Sequence, residues 1–523
     1  MTKYLLSRIV RSLISVVIVL AVIMVMIYSL LDKRAVFAAD PSYSKQRLND
    51  KTIYEMQQWE QYGYLDYVNY SEFILDKLET GEIDEEIRKK AAVLGKDASD
   101  DNEYAAKYTK EFEEKYRELG YKVERLEGKV KKGRIYQDGG KPRLFAYKEI
   151  PVLKRLGTYI KSIFFLDTVH KAEGYEGERG LEFTWYDPAY GGEKFSPAIM
   201  GKGTHHRYLL YFTDEFPYIH QNLLTVRLGT SYSVTKNTDV FDSMTQAQGD
   251  QKMSNVIYPT GIVEKSNDDI HTLTYAPGSR EVSEMYQRQF LDDYTNTAKA
   301  KTGRSRMGYS FLIGIISVAL AYLLAVPLGI GMALRKDKLL DKLGTFYIVF
   351  ITAVPSLAYI FMFRAIGGKF GLPTTFDMTQ PTTLMYFLPI ISLALPSVAN
   401  LMKWLRRYMI DQMNADYVKF ARSGGLSEGE IFRKHILKNA IIPIAHGIPG
   451  SILGAMTGAI ITERVYLVPG VGNVLTEAIN KYDNAVIVGV ALFYSVLTVT
   501  SVILGDVLIS VLDPRISFTA KER

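Results

Sequence analysis

Cysteine is absent from the 523 residues of this chain, which excludes disulfide bonds and thiolate metal sites. An excess of charge is also lacking, because a formal net charge of +6 is small for this length and argues against nucleic acid as a partner. The chain is longer than one ordinary domain. Hydrophobic residues make up 47% of it, and because they are concentrated in long uncharged stretches, a membrane protein is the first prediction.

Motifs for catalysis are missing as well. The adjacent histidines His205 and His206 belong to no HExxH motif, and no GxSxG motif is found. The segment GGEKFSPAIMGKGT lacks the glycine spacing of a P-loop, and Gly203 stands where a serine or threonine is required. We therefore predict that the chain is not an enzyme and has no catalytic residue, no metal site and no bound cofactor.

Six segments are long and apolar enough to cross the hydrocarbon core, which takes roughly 20 residues. They are Ser12–Leu31, Met307–Leu334, Leu343–Phe363, Met378–Met402, Asn439–Thr462 and Asn484–Gly505. The alternative for the first is a signal peptide, because AVFAAD at 35–40 has the small residues of a cleavage site. We favour a retained helix, and hence an all-α membrane bundle of six transmembrane helices.

Lysine and arginine cluster at the ends of these segments, and such clusters remain in the cytoplasm. With six spans, all the clusters fall on one side of the membrane. They comprise Lys3, Arg8 and Arg11, then residues 335–342, the loop 403–438, and Arg515, Lys521 and Arg523. We predict a multi-pass cell-membrane protein with both termini in the cytoplasm and residues 32–305 outside.

This topology divides the chain into three parts. Residues 1–34 hold the N-terminal tail and the first span, residues 35–305 form an extracellular domain, and residues 306–523 hold spans two to six.

Within the outer domain, residues 45–120 have a helical pattern and residues 121–235 have strand and turn signals, so we predict an α+β fold. Its many tyrosines serve either recognition or an ordinary core. A large outer domain without cysteine suits a Gram-positive surface.

The most informative segment is DYVKFARSGGLSEGEIFRKHILKNAIIP at 416–443, a polar stretch between uncharged spans. Asp416 stands where a negative charge favours the start of a helix. Gly424 and Gly425 predict the end of that helix. Ser427 then caps a second helix, with Glu430 completing a capping box.

Apolar side chains within this two-helix loop predict a contact with a partner. Phe420, Leu426, Ile431 and Phe432 offer apolar area on a face that would otherwise be wet, and a groove in another protein would cover it. The alternative is an amphipathic helix that lies on lipid headgroups. The predicted contact residues are Asp416, Tyr417, Phe420, Ala421, Gly424, Gly425, Leu426, Ser427, Ile431 and Phe432.

This loop resembles the EAA loop of ABC-importer permeases in their oligopeptide/dipeptide branch. Further segments resemble the same family in order and spacing: YLLSRIVRSLISVVIVLAVIM near the N-terminus, LGTSYS at 228–233, ERVYLVPGVGNVLTEAI at 463–479 and LGDVLISVLDPRIS at 504–517. Residues of about 40–215 have no counterpart in the usual short permease. Lys419 and Phe420 replace the Glu and Ala of the general loop pattern, and Lys438 replaces its Pro.

The resemblance implies a type I importer permease with a large domain inserted between its first two helices. It implies a heterodimer with a second, homologous permease and two cytoplasmic ATPases that bind the ATP and Mg²⁺. It also implies an extracellular substrate-binding lipoprotein, an oligopeptide substrate and a lipid surround. The alternative is a membrane-anchored peptide receptor or sensor without transport, although the chain offers no cytoplasmic signalling module.

Residues within the spans are candidates for the translocation path or its gate. Pro355 either lines the path or kinks a helix. Asn400 can hydrogen-bond across helices, and the small residues around Gly454 and Gly458 permit tight helix packing. Glu463 either shapes the outer mouth or marks the boundary with water, and we favour the second.

Overall fold

The computed structural model describes most of the chain. The described residues are 2–30, 33–96, 102–131, 134–135, 138–166, 176–186, 192–193, 195–204, 208–212, 219–221, 224–249, 254–257, 263–266, 273–274, 296–297, 303–378 and 382–512. The histidines His205 and His206 and the DPR sequence at 513–515 lie outside the described residues.

Helices dominate the described residues. The α-helices are α1 Thr2–Leu30, α2 Pro41–Lys45, α3 Leu48–Gln61, α4 Tyr70–Glu79, α5 Glu85–Ala91, α6 Glu103–Glu118, α7 Val152–Ser162, α8 Val240–Thr245, α9 Arg306–Leu334, α10 Leu339–Ala353, α11 Ser356–Lys369, α12 Phe387–Met413, α13 Asp416–Ser423, α14 Glu428–Ile431, α15 Lys438–His446, α16 Ile448–Tyr466, α17 Val471–Asn480 and α18 Asn484–Leu512. Lys33–Ala39 and Thr383–Tyr386 are 3₁₀-helical, and Phe432–Leu437 is a π-helical segment.

The strands are short and pair antiparallel. They are β1 Leu65–Asn69, β2 Lys122–Leu126, β3 Val130–Lys131, β4 Arg134–Ile135, β5 Arg143–Glu149, β6 Phe164–Leu166, β7 Gly180–Tyr186, β8 Phe195–Lys202, β9 Tyr208–Phe212, β10 Ile219–Gln221, β11 Leu224–Val226, β12 Ser254–Ile257, β13 Val263–Ser266, β14 Leu273–Thr274 and β15 Asn296–Thr297. The larger sheets have the strand orders β1-β5-β2 and β10-β9-β8-β7. Among the described residues, helices predominate over 45–120 and strands over 121–235, with β1 and α7 as exceptions.

The chain divides into two compact units with different bounds from the predicted parts. The first comprises 1–20, 163–480 and 484–523, and the second comprises 21–162 with 481–483. Residues 163–305 therefore belong to the same unit as the later apolar helices. The prediction of one extracellular domain over 35–305 stays a prediction.

The second unit has its own hydrophobic core. Tyr70 and Phe73 of α4 pack with Phe112 of α6 and Leu144 of β5. Asn69, Asp84 and Asn102 cap α4, α5 and α6 by accepting hydrogen bonds from main-chain amides, which fixes where these helices begin. Arg155 of α7 is buried with its guanidinium between the rings of Tyr28 and Tyr64, at 3.6 and 4.0 Å from their centroids.

In the first unit, a short segment before α9 is anchored to the last helix. Asp239 caps α8 by accepting from the amide of Phe241, and its Oδ1 also accepts from the amide of Leu228. Leu228 lies against Gly489 of α18, where an added Cβ would come within 2.6 Å of the Leu228 carbonyl oxygen. The first residue of the LGTSYS motif therefore packs so closely against α18 that position 489 has no room for a side chain.

Five helical stretches in the described residues are long and apolar enough to cross a membrane, and a bent pair raises the number to six. The five are Leu6–Tyr28, Arg306–Leu334, Thr383–Met413, Glu428–Tyr466 and Asn484–Leu512. Many of their outward side chains are exposed and apolar, which is typical of surfaces that face lipid. Six spans were predicted, and the described residues support five to six apolar helices.

The predicted single span Leu343–Phe363 is wrong in its geometry. The segment forms two helices, α10 and α11, that meet at 109°. Pro355 causes the break, because a residue that precedes proline is driven from the helical region, and Val354 is extended with φ −85° and ψ 129°. The kink that the sequence allowed at Pro355 is therefore present, and it is large enough to divide the segment into two helices.

Ion pairs join helices of the first unit. The guanidinium of Arg406 on α12 donates two hydrogen bonds of 2.6 and 2.7 Å to the buried carboxylate of Asp341 on α10. Arg8 of α1 pairs with Asp506 of α18. The first and last helices are therefore linked by charge within this unit.

Candidate coupling and transport sites

The loop between α12 and α15 contains the two predicted helices. Gly425 has a φ of +81°, which a residue with a side chain adopts only with strain. Ser427 caps α14, since its Oγ accepts from the amide of Glu430 while the Glu430 carboxylate accepts from the amide of Ser427. The predicted capping box is confirmed.

Two ion pairs fix the shape of the loop. Arg422 on α13 donates hydrogen bonds of 2.5 and 3.0 Å to the carboxylate of Glu428 on α14, across the double-glycine turn. The hydrogen bond from Lys419 at 2.9 Å lowers the pKa of the Asp416 carboxyl, which stands in the first turn of α13. The loop is therefore ordered by its own charges.

One face of the loop packs into the bundle. Val418, Ala421 and Ile431 are buried, and they join Leu405 and Met409 of α12 in one hydrophobic cluster. The same cluster includes Ile436 from the π-helical segment and Ala440 and Ile444 from α15. Leu426 and Phe432 are partly buried against it. The loop is therefore packed directly against α12 and α15.

The opposite face presents Phe420, whose side chain is 82% exposed. Tyr417 is at the margin of exposure, and its hydroxyl donates to Gln412 and accepts from Asn439. The expectation that Ile431 offers apolar area to a partner is wrong, because this side chain is 0% exposed. Phe420 is thus the principal exposed apolar group on the described loop.

A cavity of about 540 Å³ lies between α11, α12 and α16. Asn400 and Gly454, two of the predicted path residues, line it together. The described residues of its wall are Ser356, Tyr359, Ile360, Ser392, Leu393, Pro396, Ser397, Asn400, Leu401, Gly447, Gly450, Ser451, Gly454, Ala455, Ile461 and Thr462. None of these carries a charge, and the volume is in the range of small-ligand sites.

Thr462 is one of the cavity residues that sequence reasoning missed. It is 1% exposed, and its Oγ1 has no hydrogen-bond partner among the described residues. A buried hydroxyl is normally satisfied, so this one is an exception in the wall of the cavity. Nothing in the local sequence reveals it, since the missing partner depends on helices distant in the chain.

Glu463 does not mark a boundary with water, so the favoured interpretation is wrong. Its side chain is 1% exposed, and its carboxylate accepts from Ser310 Oγ at 2.6 Å and from the amide of Asn473 at 3.2 Å. The Ser310 hydroxyl in turn accepts from the amide of Val471. An added Cβ at Gly470 would come within 2.3 Å of the Glu463 carboxyl carbon. Glu463 therefore secures the PGVG turn to α9, and its neighbour Arg464 remains exposed.

Two further predicted path residues belong to the same helices. Pro355 stands at the bend before α11, one residue from the wall residue Ser356. Gly458 lies in α16. Their role in a path stays a prediction.

A family model described as "Binding-protein-dependent transport system inner membrane component" matches residues 325–518. The oligopeptide transport system permease protein AmiC of Streptococcus pneumoniae is 33% identical over 528 aligned residues, which cover 100% of this chain and 99% of that protein. The dipeptide transport system permease protein DppB of Lactococcus lactis is 30% identical over 225 residues, 43% of this chain and 73% of its own length. The AmiC alignment therefore includes the residues expected to be an insertion.

The similarity extends to a solved structure. The crystal structure of an amino acid ABC transporter with histidines aligns with 40% of this chain and 92% of that one, at 17% identity and a TM-score of 0.32.

Proposed function

Because the chain belongs to the binding-protein-dependent transport system inner membrane components, in the peptide family of ABC-importer permeases, we propose that it moves oligopeptides into the cell. It acts as one permease of a heterodimer, and the family's type I architecture supplies six spans with both termini in the cytoplasm and residues 32–305 outside. Such a chain is a transport permease and not an enzyme, and we propose that ATP and Mg²⁺ bind in two partner ATPases.

The observation that carries the proposal is the two-sided loop of α13 and α14. Its inner face is buried against α12 and α15, while Phe420 on the outer face is exposed to a partner. An ATPase groove that holds Phe420 would move α12 and α15 when it closes. The transporter then passes between inward-open and outward-open states, and the peptide crosses by a shift of population without chemistry in this chain.

Reconstitution tests this proposal. The chain is co-purified with a second permease and two ATPases, placed in proteoliposomes, and supplied with the substrate-binding lipoprotein and a labelled peptide. We expect peptide accumulation that requires ATP and every component. A complex that binds peptide but accumulates none in the presence of ATP would contradict transport and favour the receptor alternative, which no feature of the described residues supports.

We further propose that part of the region between α1 and α9 docks the substrate-binding lipoprotein. The motivation is an edge strand, β7, whose Leu181, Phe183 and Trp185 alternate along the strand and are exposed, with Phe195 of β8 also exposed nearby. Large exposed apolar patches of this kind mark interaction sites.

Two variants test which part of this region docks the lipoprotein. Replacement of Phe183, Trp185 and Phe195 by threonine should weaken lipoprotein binding and peptide uptake together. Deletion of 41–162 removes most of the second unit and leaves β6 paired with β11. If both variants bind lipoprotein and import peptide as the unaltered complex does, the docking role is wrong, and the importer proposal is unaffected.

A further inference from the structure

The cavity between α11, α12 and α16 has the chemistry of a binding site, and we propose that it holds the main chain of the peptide during transport. The inference rests on the proposed peptide importer and adds the residues that contact the cargo and the part of the cargo they recognise. Recognition of main chain, which all peptides share, would allow one site to accept many sequences.

The polarity of the wall supports this choice of ligand. Ser356, Ser397, Asn400 and Ser451 supply hydroxyl and amide groups, and no described wall residue is charged. A peptide main chain presents alternating N–H and C=O groups that all require partners when they leave water. Neutral donors and acceptors satisfy these groups without a preference for acidic or basic side chains, whereas a fixed charge would impose one.

Glycines in the cavity wall leave room for a ligand to approach the helix backbone closely. Gly447, Gly450 and Gly454 recur at intervals of three and four residues, which places them on one helical face. An added Cβ at Gly450 or Gly454 would meet nothing within 4 Å, so the space beside the helix backbone is open. On α12, Pro396 has no N–H to donate to the carbonyl of Ser392, and both residues line the cavity.

Thr462 provides the independent observation. This residue lines the cavity, and its buried Oγ1 has no partner among the described residues. Leaving a buried hydroxyl unsatisfied is unfavourable, and an N–H or C=O group of a bound peptide would satisfy it. Thr462 and Asn400 stand on different helices, so a peptide that contacts both would bridge α16 and α12.

The absence of cysteine allows a direct test of occupancy. In the reconstituted complex, Ser397→Cys places one thiol in the wall, and Thr457→Cys places one on an exposed part of α16 outside it. The rate of labelling by a maleimide is measured with ATP, with and without tetra-alanine. We expect tetra-alanine to slow labelling at 397 and not at 457, and its N-methylated form to protect less.

Transport measurements provide the second test. Thr462→Val keeps the shape of the side chain and removes the hydroxyl, and Asn400→Leu removes the amide. Each lost hydrogen bond should raise the half-saturating peptide concentration by about 2- to 10-fold, equally for acidic, basic and neutral peptides. Thr457→Val is the matched control, because its hydroxyl bonds to carbonyls of its own helix.

The outcomes distinguish this inference from the proposed function. If the unaltered complex imports peptide while tetra-alanine leaves labelling at 397 unchanged and both cavity variants transport normally, the site is wrong and the importer stands. If the cavity variants change the half-saturating concentration differently for acidic, basic and neutral peptides, the cavity selects side chains, and main-chain recognition is wrong. If the unaltered complex imports no peptide, the proposed function itself fails.

Discussion

Arg422 and Glu428 form a two-point ion pair across the turn that separates α13 from α14, with N–O distances of 2.5 and 3.0 Å. The pair bridges Gly424 and Gly425 and holds both short helices in one arrangement. Both side chains are more than half exposed, so the pair contributes little to overall stability. The pair acts on geometry, because it joins α13 to α14. We therefore expect the loop to move as one body when a partner binds.

The turn between these helices requires Gly425. Its φ of +81° disfavours any side chain, although an added Cβ would meet nothing within 4 Å. Gly425→Ala should therefore cost about 1 kcal/mol in backbone strain without a clash and lower peptide uptake per ATP hydrolysed. Gly429→Ala is the control, since Gly429 also has open space but lies in α14 without a positive φ. Equal coupling in the two variants would show that the turn conformation is unimportant.

Phe420 separates docking from folding. Phe420→Ala should leave the thermal stability of the chain unchanged and weaken ATPase binding by about tenfold or more, as expected for an aromatic group at the centre of an interface. Ile431→Ala is the contrasting variant, because truncation of this buried side chain should lower stability by about 2–5 kcal/mol. Pull-down affinity and melting temperature measure the two effects. Normal ATPase binding by the Phe420 variant would place the contact elsewhere on the loop.

Local interactions made part of the loop predictable from sequence. The capping box of Ser427 and Glu430 depends on residues three apart, and the double glycine ends a helix by its own conformational preference. The inward orientation of Ile431 was not predictable, because it depends on packing against Leu405 and Met409 of another helix.

The same distinction applies to the candidate site. Asn400 and Gly454, predicted as path residues from polarity and size within apolar spans, both line the cavity, and their role in a path stays a prediction. Thr462 and Ser310 were missed because their significance depends on neighbours more than 50 residues away or on the lack of one. Pro355 was visible in the sequence, yet the 109° angle that follows it is fixed by tertiary packing.

Glu463 and Ser310 should act as one structural unit. Ser310→Ala leaves a buried acceptor without its donor and should cost about 1–3 kcal/mol. Gly470→Ala should be at least as harmful, because its Cβ would overlap the Glu463 carboxyl group. Melting temperature in detergent measures both, with exposed Arg464→Gln as the control. Unchanged stability in Ser310→Ala would show that the Ser310 hydroxyl is not needed to hold Glu463 and the PGVG turn.

Asp239 predicts a pH dependence. Burial raises the pKa of this carboxyl, although the amides of Leu228 and Phe241 oppose the shift. Between the ordinary and the raised pKa, the folded state binds more protons than the unfolded state, so the stability contribution of Asp239 falls as pH rises. Asp239→Asn keeps an acceptor at the helix start and removes the titration.

The measurement is the difference in melting temperature between the unaltered chain and Asp239→Asn. Lowering the pH from 7 towards the ordinary pKa of an aspartate should shift this difference in favour of the unaltered chain, because only it gains from protonation of this carboxyl. Burial and the charge of Asp239 also raise the pKa of Asp242, whose response therefore has the same sign. A difference that does not change with pH would contradict the shift.

Arg155 stabilises the second unit through the faces of Tyr28 and Tyr64, because its buried guanidinium lies within 4.0 Å of both ring centroids. Desolvated cation–π contacts are worth about 2 kcal/mol, and the planar guanidinium stacks where an ammonium cannot. Arg155→Lys keeps the charge and should still lower the protection of 21–162 against hydrogen exchange, whereas exposed Lys154→Ala should not. A double-mutant cycle that combines Arg155→Lys with Tyr28→Leu measures the energy of this contact. Additive effects of the two substitutions would contradict the prediction. They would mean that Arg155 is held by charge and packing elsewhere and not by the ring.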